Sequence, residues 1–298
     1  MQIEQPLFEH VVVLDVTQSM NVADQDAAGQ PVSRLAFVKQ ALRVALLDLP
    51  CGSKVGWAVF TEYRSFLLLE PVEVCGQLGE LESTLARIDG TMAWSGNSEV
   101  AKGLHSGISI VKQLPNKPSL VFVTDGHEAP PINPRYRPAF DDKPGDAKGL
   151  IVGVGGLRPV PIPKTDPLGR PLGFWGADEV MQNDPRSQGR GASVKGENMV
   201  DDERAASPSL PGAAPGSEHL SSLREGYLRL LASEQGLGYH RLQADDGGDA
   251  GQALAAAMTS PDFARPVQAR ADLRPALAVL ALCLLLAGHL RHQIRRTA

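Results

Sequence analysis

The run Val11-Val12-Val13-Leu14-Asp15-Val16-Thr17-Gln18-Ser19-Met20 decides the fold. A β-branched apolar series of this kind makes a strand buried on both faces, as in a parallel sheet covered by helices. It stops at Asp15, after which three oxygen-bearing side chains, Asp15, Thr17 and Ser19, alternate with Val16 and Gln18. Alternation in an extended segment aims those three the same way. One carboxylate and two hydroxyls at the carboxyl end of a buried strand form half a site for a hard cation, because Mg²⁺ and Ca²⁺ take oxygen ligands. Other strand ends must supply the rest.

Working outward, Ala23 to Ser33 is polar, and Arg34 to Leu49 has helical periodicity, with Ser33 as a candidate N-cap. Lys54 to Phe60 and Arg64 to Leu69 read as a β-hairpin, the antiparallel edge of an otherwise parallel sheet. If Phe60 lies near Ser65, counting outward brings Cys51 and Cys75 together beyond the open end, where a disulfide is geometrically reasonable; two unpaired small hydrophobes are the other reading. Helices follow at Leu78 to Ile88 and Glu99 to Leu114, then buried strands at Ser119 to Thr124 and Leu150 to Val154. Glu218 to Gln235 is an amphipathic helix, Tyr239 to Leu242 a short strand and Ala250 to Met258 a last helix. Strands separated by helices describe a doubly wound α/β sheet, mostly parallel with one antiparallel edge strand. Such sheets bind ligands at the carboxyl ends of their strands.

The domain spans residues 8–258 and is interrupted by a Pro- and Gly-rich insertion at 157–217, expected to be partly disordered. Residues 259–272 read as a linker, 273–291 as a membrane-anchor helix and 292–298 as a basic tail. The uncharged core of the anchor, Ala276 to Leu290, makes a helix of about 22 Å, short of a hydrocarbon thickness of about 30 Å. Flanking arginines that snorkel bring it close to spanning; a buried or interfacial helix is the alternative. Met1 to His10, with Glu4 and Glu9, is not expected to act as a secretory signal.

Composition narrows the function classes. The 298 residues are 43% hydrophobic and 21% charged, ordinary for a folded protein able to bury a sizeable core. A net charge of −5 without clustered Lys and Arg in the globular part argues against nucleic acid. Three cysteines, Cys51, Cys75 and Cys283, neither make a disulfide scaffold nor have zinc spacing. Catalysis by a phosphohydrolase nucleophile at Asp15 needs a second Asp two residues on, and Thr17 stands there, so the proton donor is missing. The chain reads as noncatalytic.

Two loops complete the half-site. Ser98, in Gly96-Asn97-Ser98-Glu99, stands at the start of a helix five residues before Gly103-Leu104, and Asp125 ends the strand Phe122-Val123-Thr124. Together these elements resemble the von Willebrand factor A family, whose metal-ion-dependent adhesion site has the pattern Asp-x-Ser-x-Ser, then Thr, then Asp. Asp15, Thr17 and Ser19 match the first element, Ser98 the Thr and Asp125 the last; Thr17 and Ser98 exchange one hydroxyl for another. The resemblance implies a cation held by Asp15, Thr17, Ser19, Ser98 and Asp125, with one position open to an acidic side chain of a protein partner. Mg²⁺ fits that role best, since it keeps several waters in an octahedral shell, with Mn²⁺ or Ca²⁺ as alternatives.

A narrower likeness lies outside the site. Phe8-Glu9-His10-Val11, Leu49-Pro50-Cys51-Gly52-Ser53-Lys54, Met92-Ala93-Trp94, Thr124 to Pro131 and Pro161-Ile162-Pro163-Lys164 together look like the MxaL-type accessory proteins of methanol oxidation, within the broader Bat-like group of membrane-anchored von Willebrand A proteins. That likeness implies an inner-membrane protein with a periplasmic domain, assisting calcium insertion during maturation of methanol dehydrogenase. The Bat-like alternative is an assembly or stress factor acting with a MoxR-type ATPase. Met92 and Trp94, on the loop before Ser98, and His127 and Glu128, beside Asp125, are candidates for partner contact, and the last two also for extending the cation site.

Overall fold

A computed structural model describes residues 2–132, 136–182, 197–201, 216–243, 249–270, 278–279 and 281–282. Its centre is a sheet of β1 (Glu9–Asp15), β2 (Lys54–Thr61), β3 (Arg64–Glu73), β4 (Ser119–Thr124), β5 (Gly149–Val154) and β6 (Gly238–Leu242), in the spatial order β6-β5-β4-β1-β2-β3. All neighbours are parallel except β2 and β3, which form the expected antiparallel hairpin with Phe60 opposite Ser65. The strand order reverses between β1 and β4, the place in a doubly wound sheet where helices leave to opposite faces and a crevice opens at the carboxyl ends.

The run that opened the reading is β1, buried from His10 to Asp15. Its side chains divide by alternation. Val12 and Leu14 join the core under α1 (Arg34–Asp48), α2 (Leu78–Arg87) and α5 (Ala250–Met258). Val11 and Val13 face the second core, under α3 (Val100–Gln113) and α4 (Glu225–Gln235). Each fully buried valine or leucine stabilises the fold by roughly 1.5–3 kcal/mol relative to exposure, so both layers hold β1 at the centre.

Helix ends follow the local chemistry. Ser33 caps α1 by accepting from the Ala36 N–H at 3.1 Å. Gly236, left-handed at φ +67°, ends α4. Gly103 in α3 has a packing reason: a Cβ there would lie 2.2 Å from the Phe60 ring, so only glycine lets α3 approach β2 this closely. The hairpin's open end is closed by a disulfide between Cys51 and Cys75.

One expectation is revised, and two segments acquire detail. The helix expected from Glu218 begins at Glu225, because Leu220–Ser221 pairs with Val160–Pro161 and the Leu223 and Arg224 amides bond to the Gly156 and Asp125 carbonyls. Within the insertion, Pro163–Thr165 and Pro171–Phe174 form an ordered hairpin; residues 183–196 and 202–215 lie outside the described residues. The linker contains a strand, Arg265–Arg270, paired antiparallel with Gln2–Leu7 in a small unit distinct from Phe8–Ala264. Among the described residues no helix is long and apolar enough to cross a membrane; the anchor at 273–291, the tail at 292–298 and Cys283 lie almost wholly outside them.

Candidate metal centre

Asp15 ends β1 and its carboxylate is fully buried. One oxygen accepts from the Thr17 amide at 2.9 Å and the Thr17 hydroxyl at 2.7 Å; the other accepts from the Thr124 hydroxyl at 2.6 Å. The chain then turns through a short 3₁₀ segment, Gln18–Asn21, which sets the Ser19 hydroxyl 3.4 Å from that of Thr17. Asp125, just after β4, is equally buried, and its side chain also bonds to Ser19.

Ser98 arrives from a third direction. Its backbone is clamped by reciprocal 2.7 Å bonds with Ala129, and the next amide, of Glu99, bonds to the Glu62 carbonyl at the hairpin tip. The Ser98 hydroxyl is buried and has no hydrogen-bond partner. It lines a cavity of about 170 Å³ together with Thr17, Ser19 and His127 and with Ile162, Trp175 and Met181 of the insertion. The tertiary fold therefore brings the five residues together: Thr17, Ser19 and Ser98 line the cavity, and the buried Asp15 and Asp125 bond to Thr17 and Ser19. An all-oxygen donor set with a buried hydroxyl left unpaired fits a hard divalent ion. Asp15, Thr17, Ser19 and Ser98 are the residues able to hold it.

Asp125 differs from Asp15 in that a buried ion pair with Arg34 already neutralises its charge. Oδ1 accepts from the His127 amide at 2.9 Å, while Oδ2 accepts from Arg34 Nη1 at 2.5 Å and from the Ser221 hydroxyl at 2.9 Å. Arg34, the first residue of α1, is completely buried, and its guanidinium also forks onto Asp24, whose Oδ2 accepts from the Gly156 amide. Gly155, at φ +131°, passes so close that a Cβ would fall 2.8 Å from Arg34 Nε. Arg34, Asp24, Thr124 and Ser221 went unseen in the sequence. Arg34 directly follows an N-cap and its partners lie 10, 91 and 187 residues away, so no local spacing announces them.

The electrostatics divide the two carboxylates. Burial, reinforced by the Asp125 charge, pushes the Asp15 carboxyl up to about 7. Burial is the largest influence on Asp125 and opposes its ionisation as well, but the Arg34 guanidinium, His127 and the hydrogen bonds from the His127 amide and Ser19 together outweigh it and hold that carboxyl below the usual range. Asp125 is thus the standing anion, and Asp15 takes up the proton that a bound cation would displace.

The partner-contact candidates are redistributed. His127 is buried, its amide tied to Asp125, and burial pushes the imidazole down to about 4. Glu128, half-buried, accepts from the Ala101 amide at the start of α3 and from the Tyr227 hydroxyl, and burial of its carboxyl pushes it up to about 7. Met92 packs, partly buried, against the core. Trp94 remains 60% exposed, edge-on to Phe66 and bonded through Nε1 to Glu62.

No protein-family model and no curated protein sequence matches this chain. Solved structures do. BatB from Bacteroides thetaiotaomicron is 14% identical, with 85% of this chain and 98% of that one covered at a TM-score of 0.50. An aerotolerance-related membrane protein from Bacteroides fragilis is 17% identical, covering 84% and 98% at 0.48. A von Willebrand factor type A protein from Catenulispora acidiphila is 14% identical, covering 49% and 33% at 0.32. At 14% identity the BatB likeness speaks to fold alone: the chain shares the fold of BatB, with the mostly parallel sheet described above.

Proposed function

We propose that this chain is a noncatalytic, metal-dependent protein-binding module that works at a membrane. Asp15, Thr17, Ser19 and Ser98 hold Mg²⁺, Asp125 supports them through Ser19, and an acidic side chain of a partner completes the shell. The observation that carries this reading is the buried, unpartnered Ser98 hydroxyl at the same cavity as Thr17 and Ser19. A buried hydroxyl without a partner costs about 1–3 kcal/mol, and a cation at that position would satisfy it. By resemblance of the Phe8 to Val11, Leu49 to Lys54 and Thr124 to Pro131 segments, the role is maturation of periplasmic methanol dehydrogenase with calcium insertion. A second reading, an assembly or stress factor acting with a MoxR-type ATPase, draws on the fold shared with BatB.

The test is calorimetric titration of the wild type and Ser98→Ala with Mg²⁺. Since the Ser98 hydroxyl bonds to nothing in the protein, its loss should leave the thermal midpoint unchanged or raised, while Mg²⁺ affinity falls by about tenfold or more. Equal affinity in the two proteins defeats the site. The biological role is separated by cells lacking the protein: dehydrogenase with a full calcium complement there removes the maturation reading and leaves the MoxR-type one.

A further inference from the structure

The cavity lined by Thr17 and Ser19 carries a second group whose bonding is incomplete. His127 is 2% exposed and lines the cavity, yet its Nδ1 has no hydrogen-bond partner. The imidazole is fixed from two sides: its backbone N–H donates to Asp125 Oδ1 at 2.9 Å, and the ring bonds to the Glu218 backbone. With Nδ1 unpartnered, the ring bond runs from Nε2, so the proton resides there and Nδ1 is a bare acceptor.

An acceptor buried without a donor is costly unless something brings one. The other group without a partner at this cavity among the described residues is the Ser98 hydroxyl. His127 does not form a close ligand cluster with the carboxylates; among the described residues the one such grouping involves Cys51, Glu73 and Cys75, of which the cysteines are already joined to each other. Direct ligation by nitrogen also suits a hard, strongly hydrated ion poorly.

We propose that His127 is a positioning residue of the cation site, its Nδ1 accepting a hydrogen bond from a water carried by the hydrated divalent ion. This rests on the cation-site reading above and adds to it a fixed acceptor in the outer shell, of the kind that orients metal-bound groups. It explains why a histidine whose ring is held by the Glu218 backbone lines the same cavity as the Thr17, Ser19 and Ser98 hydroxyls with an acceptor to spare.

The experiment compares full-length wild type, His127→Leu and His127→Asn by calorimetric titration with Mg²⁺ and with Mn²⁺. The Asn side-chain oxygen stands near the Nδ1 position and keeps the acceptor; Leu removes it. Loss of one such bond should weaken both cations by about tenfold in the Leu variant, with Asn within about threefold of wild type. Leu equal to wild type, or Asn as weak as Leu, overturns the inference while leaving the cation site standing. In Mn²⁺-loaded wild type, electron–nuclear double resonance should show a weak ¹⁴N coupling from beyond the first shell. A strong coupling, meaning direct ligation, or none at all, overturns it independently of how the variants fold. If the wild type binds neither cation, the underlying site reading fails and this inference with it.

Discussion

Arg34 Nη1 donates to Asp125 Oδ2 at 2.5 Å, with neither side chain exposed to solvent. The same guanidinium engages Asp24, also in an ion pair, so one buried cation answers two carboxylates from separate loops. Taking away one partner of a buried pair leaves an uncompensated charge and typically costs about 3–5 kcal/mol. Arg34→Met should therefore destabilise the domain by about that amount, read as a lowered urea midpoint at constant slope. Arg34→Lys keeps the charge but loses the fork that spans Asp24 and Asp125, and should fall between the two.

The buried acids give the cation-free protein a distinctive pH profile. Asp15 and Glu128 are both pushed up to about 7, above their ordinary values near 4. A folded-state value above the unfolded one means that the folded state holds the extra proton. Their contribution to stability is complete below about pH 4 and is lost as pH rises through about 7. In chelator, the fold should lose stability between pH 5 and pH 8 more steeply than Asp15→Asn or Glu128→Gln; equal slopes in urea titrations would contradict the assignment.

The same proton links pH to cation binding. A cation needs Asp15 ionised, so Mg²⁺ binding at pH 6 should release close to one proton and the affinity should rise between pH 6 and pH 8. Titrations in buffers of different ionisation enthalpy measure the release. Asp15→Asn should abolish it together with the affinity.

Cys51 and Cys75, 24 residues apart, close the loop that contains the β2–β3 hairpin. Loop-closure entropy for that length amounts to about 3 kcal/mol. The Cys51→Ser, Cys75→Ser double variant should melt lower by a corresponding margin, and protein from an oxidising compartment should show neither residue as a free thiol.

Gly103→Ala tests how closely α3 must approach the sheet. Its Cβ would enter the Phe60 ring, an overpacking that costs about 1–3 kcal/mol. Because Ser98 precedes the same helix, the displacement should also reduce Mg²⁺ affinity, a combination that Ser98→Ala does not produce.

Much of this architecture is written in short-range pattern. Val11 to Leu14, Ser119 to Thr124 and Leu150 to Val154 announce buried strands because consecutive β-branched and apolar residues suit few other environments. The turn at Glu62-Tyr63 sets Phe60 against Ser65, and that register carries Cys51 toward Cys75. The failures share a cause as well. Glu218 to Arg224 has helical apolar spacing, yet its backbone is claimed by Val160–Pro161, Gly156 and Asp125, partners that lie far off in the chain.

For the site, the sequence by itself determined the oxygen-bearing set, Asp15, Thr17, Ser19, Ser98 and Asp125, because each residue sits at a strand end or helix start that local pattern makes recognisable. Only the tertiary structure decided the division of labour among them. Arg34 pairs with Oδ2 of Asp125 and makes it the standing anion, Thr124 and Thr17 donate to Asp15, and Ser98 and His127 are left lining the cavity with bonding capacity unused. Charge and hydrogen-bond satisfaction in a buried crevice depend on which groups meet across the whole fold, and no spacing along the chain records that.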